Sequence, residues 1–220
     1  MLKELRIQVL ETARKMRNNH LVVLAGGTVC ARDPDSGYVC ITASGMDYDE
    51  MTWEDIAVID MELNIIDAKK KISVATDMFL AILRARSDVH AVIHTHSIYA
   101  TAFACIDREI PAMTTTQANL VGGPVPIVKG LEPGPYTTAF YERIVATMGN
   151  GYAVNLMSHG PVVVGKDLDH CLEVAITIEV TAHTVFAAES IGIPYLLNAD
   201  EIEKSFQYYN VAVGQSTDTK

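Results

Sequence analysis

Apolar residues recur along this chain with two periods, and the change from one to the other divides it into elements. Leu2, Leu5, Val9, Leu10, Ala13 and Met16 stand three to four residues apart with Lys and Arg between them, which predicts an opening helix over 2–18. After the Gly-rich turn Ala25-Gly26-Gly27-Thr28, β-type runs at 29–32 and 38–42 flank Asp33-Pro34-Asp35-Ser36-Gly37, a hairpin-type turn. Two more short strands are expected at 56–60 and 64–66. A helix follows over about 74–86, carrying Met78, Leu80, Ala81, Leu83 and Ala85 on its buried side, with Ser73 placed to cap it.

A histidine-bearing strand comes next, then a helix near 99–106, a strand at 125–128, and a helix over about 136–148 preceded by Pro133-Gly134-Pro135. Strands at 153–157 and 162–164 lead into a long helix, 168–191, with Asp167 as its N-cap. Strands and helices mix without regular alternation. That favours a single α/β domain, a three-layer α/β/α arrangement around a largely antiparallel sheet, over a doubly wound fold. The domain is expected to span 1–214, with a polar C-terminal tail over 215–220.

Composition narrows the partners. Of 220 residues 49% are hydrophobic, enough for one sizeable core, and the formal charge of -10 argues against nucleic acid or an anionic membrane surface, both of which need a basic face. A small anionic substrate remains compatible, because a site can be locally positive in an acidic protein. The run Lys69-Lys70-Lys71 reads as a solvated loop. No stretch reaches the roughly 18 to 20 apolar residues that span a bilayer, and the N-terminus lacks a signal-peptide core, so a cytoplasmic protein is expected. The cysteines, Cys30, Cys40, Cys105 and Cys171, are far apart, which suits reduced and mostly buried thiols, none of them a nucleophile.

Candidate chemistry lies in the histidines. In His90-Ala91-Val92-Ile93-His94-Thr95-His96, His94 and His96 stand at i and i+2 in an apolar run, a spacing that puts both imidazoles on one face of a strand. Such a pair can share a borderline-soft cation such as Zn²⁺, which in catalytic sites takes three protein ligands and an exchangeable position. His159 ends another apolar run and is followed at once by Gly160, which can aim its ring out of the sheet. His20, His170 and His183 read as solvated or satisfied by local hydrogen bonds.

Around these histidines the chain resembles the class II aldolase/adducin-head family, over nearly its whole length. The resemblance rests on Ile41-Thr42-Ala43-Ser44-Gly45-Met46-Asp47-Tyr48 with Trp53-Glu54-Asp55-Ile56, on Arg84-Ala85-Arg86-Ser87-Asp88-Val89 leading into His94-Thr95-His96-Ser97, and on Ser158-His159-Gly160. Its pattern is closest to the fuculose-phosphate aldolase and ribulose-phosphate 4-epimerase members. The resemblance implies a Zn²⁺ (or another divalent transition metal) on His94, His96 and His159. It also implies a homo-oligomer, most often a tetramer, with active sites near subunit interfaces. The implied reaction is cleavage of a ketose phosphate such as fuculose 1-phosphate to dihydroxyacetone phosphate and an aldehyde, through a metal-stabilised enediolate. Epimerisation or decarboxylation at the same metal, or a non-catalytic module like the adducin head, are the alternative readings.

Three departures from the family pattern bear on that reaction. The position of the usual catalytic carboxylate is Ala75, in Ser73-Val74-Ala75. That is either an engineered change that disables the base or a natural loss of it; Asp77, about 200° further round a helix, would need local unwinding to replace it. The phosphate subsite reads Gly27, Thr28, Ser44, Gly45 and Ser73, with Val74 in place of a serine and Thr28 in place of an asparagine, so a phosphorylated ligand is favoured and a non-phosphorylated acid stays open. Thr115 stands where fuculose-phosphate aldolase has a tyrosine. Tyr209, or failing that Tyr208, matches the C-terminal tyrosine that reaches a neighbouring subunit's metal in the family.

Overall fold

The computed structural model describes residues 1–130, 132 and 136–212. Eight strands form one sheet: β1 (Thr28–Arg32), β2 (Val39–Ile41), β3 (Ala57–Ile59), β4 (Ile65–Asp67), β5 (Ala91–His94), β6 (Ile127–Val128), β7 (Ala153–Leu156) and β8 (Gly160–Gly165). Their order across the sheet is β4-β3-β2-β1-β5-β8-β7-β6. Every pairing is antiparallel except that of β6 with β7.

Alternate residues along these strands enter two different cores. Val29, Ala31, Ala91, Ile93 and Val163 pack with α1 (Lys3–Asn18), α3 (Ile98–Cys105) and α6 (Leu168–Ile191). Cys30, Val92, Val154, Val162 and Val164 face the other way, against α2 (Thr76–Ala85) and α5 (Thr138–Met148). The strands are apolar on both faces because helices cover both, which makes the fold a three-layer α/β/α domain.

Helix α1 buries Val9, Leu10, Ala13 and Met16, as its spacing predicts. Asp167 caps α6 by accepting the His170 amide at 2.8 Å. Further along α6, the Glu179 carboxylate accepts the Tyr99 and Ala100 amides at 2.9 Å each and so closes the start of α3. Among the described residues α6 is the one helix long and apolar enough to cross a membrane, and it packs on β8 and α3.

Several elements differ from the sequence expectation. Ser73 is not the cap of α2: the N-cap is Ala75, while the Ser73 hydroxyl accepts the Ala75 amide at 3.2 Å and its carbonyl accepts that of Thr76. The turn therefore holds residues 73–75 outside the helix. Val125 is not in β6 but bridges Ile110. Two helices lie outside the expectation, α4 (Thr115–Leu120) and α7 (Ala199–Ala212), which pack on each other. A six-residue helix is too short to show a period, and α7 places Ile202, Phe206 and Tyr209 one turn apart among charged residues. Pro133-Gly134-Pro135 and the 215–220 tail lie outside the described residues.

Candidate metal centre and substrate pocket

His94 is the last residue of β5 and projects to the same sheet face as Val92, toward α2. His96 does not share that strand. Thr95 donates its amide to the Pro161 carbonyl at 3.1 Å, but proline has no N–H to return, and the ladder stops there. The chain then turns, which swings the His96 ring over Gly26, where a Cβ would lie 3.2 Å from His96 Nδ1 and 2.9 Å from the Val23 carbonyl oxygen.

The third imidazole arrives on the turn between β7 and β8. Ser158 has φ 54° and Gly160 φ 149°, and a Cβ on Gly160 would lie 2.4 Å from the Thr95 carbonyl oxygen. Glycine is therefore what lets the His159 turn close on the 94–96 segment.

The three rings converge through their Nε2 atoms. His94 Nε2 lies 3.0 Å from that of His96 and 3.2 Å from that of His159. Tetrahedral Zn²⁺ with bonds of about 2.0–2.1 Å would separate its nitrogens by roughly 3.3–3.4 Å, so the set fits such an ion with small adjustments. His94 Nδ1 donates to the Pro161 carbonyl at 2.9 Å, which leaves the Nε2 lone pair free. Burial, then the His159 and His96 rings, push the His94 pKa down to about 3. Burial and His96 push His159 down to about 4, and burial lowers His96 as well. All three are neutral at pH 7.

The pocket in front of these rings collects the other expected residues. Thr28 is paired with His94 across β1 and β5, and its hydroxyl lies 2.7 Å from that of Ser73, in the turn before α2. Gly27, Ser44, Gly45 and Ala75 line the same pocket. At Gly27 a Cβ would meet the His94 carbonyl oxygen at 2.9 Å and the Val22 side chain at 2.5 Å, so close packing alone requires glycine there. Tyr48 donates its hydroxyl to the Gly27 carbonyl at 2.7 Å and holds this loop down.

Other expected residues lie elsewhere. Asp77 lines a separate groove with Arg84 and Tyr141, away from the histidines, so it does not supply a carboxylate to their pocket. Among the described residues no Asp or Glu lines the histidine pocket. Thr115 is exposed at the first turn of α4, and Tyr209 lines a groove with Asn119, Tyr152 and His170; neither reaches the histidine pocket of its own chain.

Sequence reasoning missed Tyr136. Its hydroxyl lies 3.1 Å from His159 Nδ1, its ring stacks on Phe140, and it lines the pocket, where burial raises its pKa. It sits two residues before α5, where spacing carries no signal of it.

A family model described as class II aldolase and adducin N-terminal domain matches residues 7–186. The 5-deoxy-D-ribulose 1-phosphate aldolase of Bacillus thuringiensis serovar kurstaki is 30% identical over 216 residues, covering 95% of this chain and 98% of that protein. A solved L-fuculose 1-phosphate aldolase superposes with a TM-score of 0.88 at 25% identity, over 94% of this chain and 96% of the other. The L-fuculose-1-phosphate aldolase from Thermus thermophilus shares the fold, with a TM-score of 0.74 at 18% identity over 87% and 98% of the two chains. Sequence match and superposition agree, and the chain belongs to the class II aldolase and adducin N-terminal domain family.

Proposed function

We propose that the protein is a metal-dependent carbon–carbon lyase that cleaves a ketose 1-phosphate to dihydroxyacetone phosphate and an aldehyde. The observation that carries this reading is the convergence of three neutral imidazoles, with Nε2 atoms 3.0 and 3.2 Å apart, on a pocket whose opposite wall is made of small hydroxyl and glycine residues. His94, His96 and His159 would hold Zn²⁺, or another divalent transition metal, in a site that keeps a position open. Bound there, the metal supplies positive charge for the electron pair released when the carbon–carbon bond breaks.

The chain's own residues would bind the rest of the substrate. Thr28, Ser44 and Ser73 offer hydroxyls, and α2 starts beside them with no side-chain cap on Ala75, so its amide dipoles favour a phosphate without any Lys or Arg. Substrates like those in the relatives' names, 5-deoxy-D-ribulose 1-phosphate and L-fuculose 1-phosphate, are the first to assay. With Ala75 in place of a carboxylate, turnover is expected to be slow. Tyr209 lies away from its own histidines, which supports a homo-oligomer, a tetramer by family resemblance, in which it serves a neighbouring pocket.

The test is metal content together with product analysis. The purified protein is expected to carry about one Zn²⁺ per chain and the His94→Ala, His96→Ala double variant none, with aldehyde release lost by at least about a thousandfold. Absence of metal from the parent protein sinks the proposal. Release of carbon dioxide, or an epimer with the carbon skeleton retained, would replace it with the other metal-enolate chemistries.

A further inference from the structure

Tyr136 is, among the described residues, the one ionisable side chain other than the histidines that lines the pocket. Its position is well determined by packing: the ring stacks on Phe140 with centroids 5.1 Å apart and meets the edge of Tyr141 at 6.4 Å. Its hydroxyl lies 3.1 Å from His159 Nδ1, the nitrogen that faces away from the other two imidazoles.

Hydrogen-bond accounting gives this contact a direction. A neutral imidazole carries one N–H, and a His159 that offers its Nε2 lone pair to a cation must carry its proton on Nδ1. Nδ1–H then donates to Tyr136 Oη, and the phenol hydrogen has no role in that bond. It is left for an acceptor in the pocket that Tyr136 lines.

We propose that Tyr136 is a positioning and substrate-binding residue: it fixes the tautomer and ring orientation of His159, and it donates its own O–H to a substrate oxygen. The proposal rests on the metal reading above, since the metal sets which nitrogen of His159 is protonated. Among the described residues no carboxylate lines the pocket, so Tyr136 is the hydrogen-bond donor beside the imidazoles that has an acidic proton.

The experiment strips the full-length protein of metal, then titrates it with Zn²⁺ against a chromophoric chelator and, once loaded, with dihydroxyacetone phosphate by calorimetry. Tyr136→Phe removes one oxygen and keeps the ring. It is expected to weaken Zn²⁺ binding about tenfold and dihydroxyacetone phosphate binding about fivefold. Phe140→Leu, which loosens the same ring stack but leaves the hydroxyl, is expected to keep both affinities within about twofold. The proposal is overturned if Tyr136→Phe matches the parent in both titrations, or if Phe140→Leu loses as much as Tyr136→Phe, because packing alone would then account for the effect. A parent protein that takes up no Zn²⁺ overturns the metal reading itself, an outcome distinct from either of these.

Discussion

The two walls of the histidine pocket are built differently. One wall belongs to the sheet: His94 is 5% exposed, paired on both sides through β1 and β8, and its ring is tied to the Pro161 carbonyl. The other is the turn before α2, where Val74 is 84% exposed and Ala75 lines the pocket with a methyl group. The first wall carries the three nitrogens that could hold a metal ion, whereas the second offers the Val74 and Ala75 side chains, and among the described residues no carboxylate lines the pocket. The imidazoles and the turn before α2 thus reside on separate elements. The Ser73 hydroxyl, 2.7 Å from that of Thr28, joins the turn to the strand paired with His94.

On the turn wall the largest expected effect comes from placing a carboxylate at position 75. Ala75→Glu should raise aldol cleavage by about a hundredfold, within the range a positioned general base contributes, while leaving Zn²⁺ content unchanged. Equal rates for the two proteins across a panel of ketose phosphates would show that position 75 does not carry the base here.

Striking the sheet wall instead should cost stability before chemistry. Gly160→Ala puts a Cβ 2.4 Å from the Thr95 carbonyl oxygen at φ 149°, and something must shift. The metal-free protein is expected to lose about 2 kcal/mol, a fall in Tm of roughly 4–8 °C. An unchanged melting temperature would mean that the His159 turn does not depend on that close approach.

The smallest effect is expected from Val74→Ser, which places a hydroxyl on the exposed rim of the turn. One added hydrogen bond should lower KM for a phosphorylated ketose about fivefold and leave a non-phosphorylated analogue unaffected. The same gain on both substrates would remove position 74 from the phosphate subsite.

Much of this was legible in the chain. The bounds of α6 and its Asp167 cap follow from the sequence, as do the hairpin of β1 and β2 and the apolar strands on either side of His94, because local periodicity and capping chemistry set them. Ser73 misled because a serine before an apolar helical pattern reads as a cap; in the structure its hydroxyl is shared between the Ala75 amide and Thr28, a partner 45 residues away that spacing cannot reveal. His96 misled in a smaller way. The i, i+2 rule put it on the strand, and Pro161 on the neighbouring strand ended the ladder one residue earlier.

By itself the sequence determined which residue types were available for chemistry: three histidines in apolar strand or strand-end contexts, a Gly-rich loop, and an alanine where a carboxylate was expected. Those are properties of local pattern, independent of how the chain folds. Only the tertiary structure decided that the three imidazoles meet at their Nε2 atoms, that Asp77 faces another groove, and that Tyr136 joins His159. Each of these depends on contacts between segments far apart in the chain. Their geometry comes from sheet pairing and helix packing, which no local period encodes.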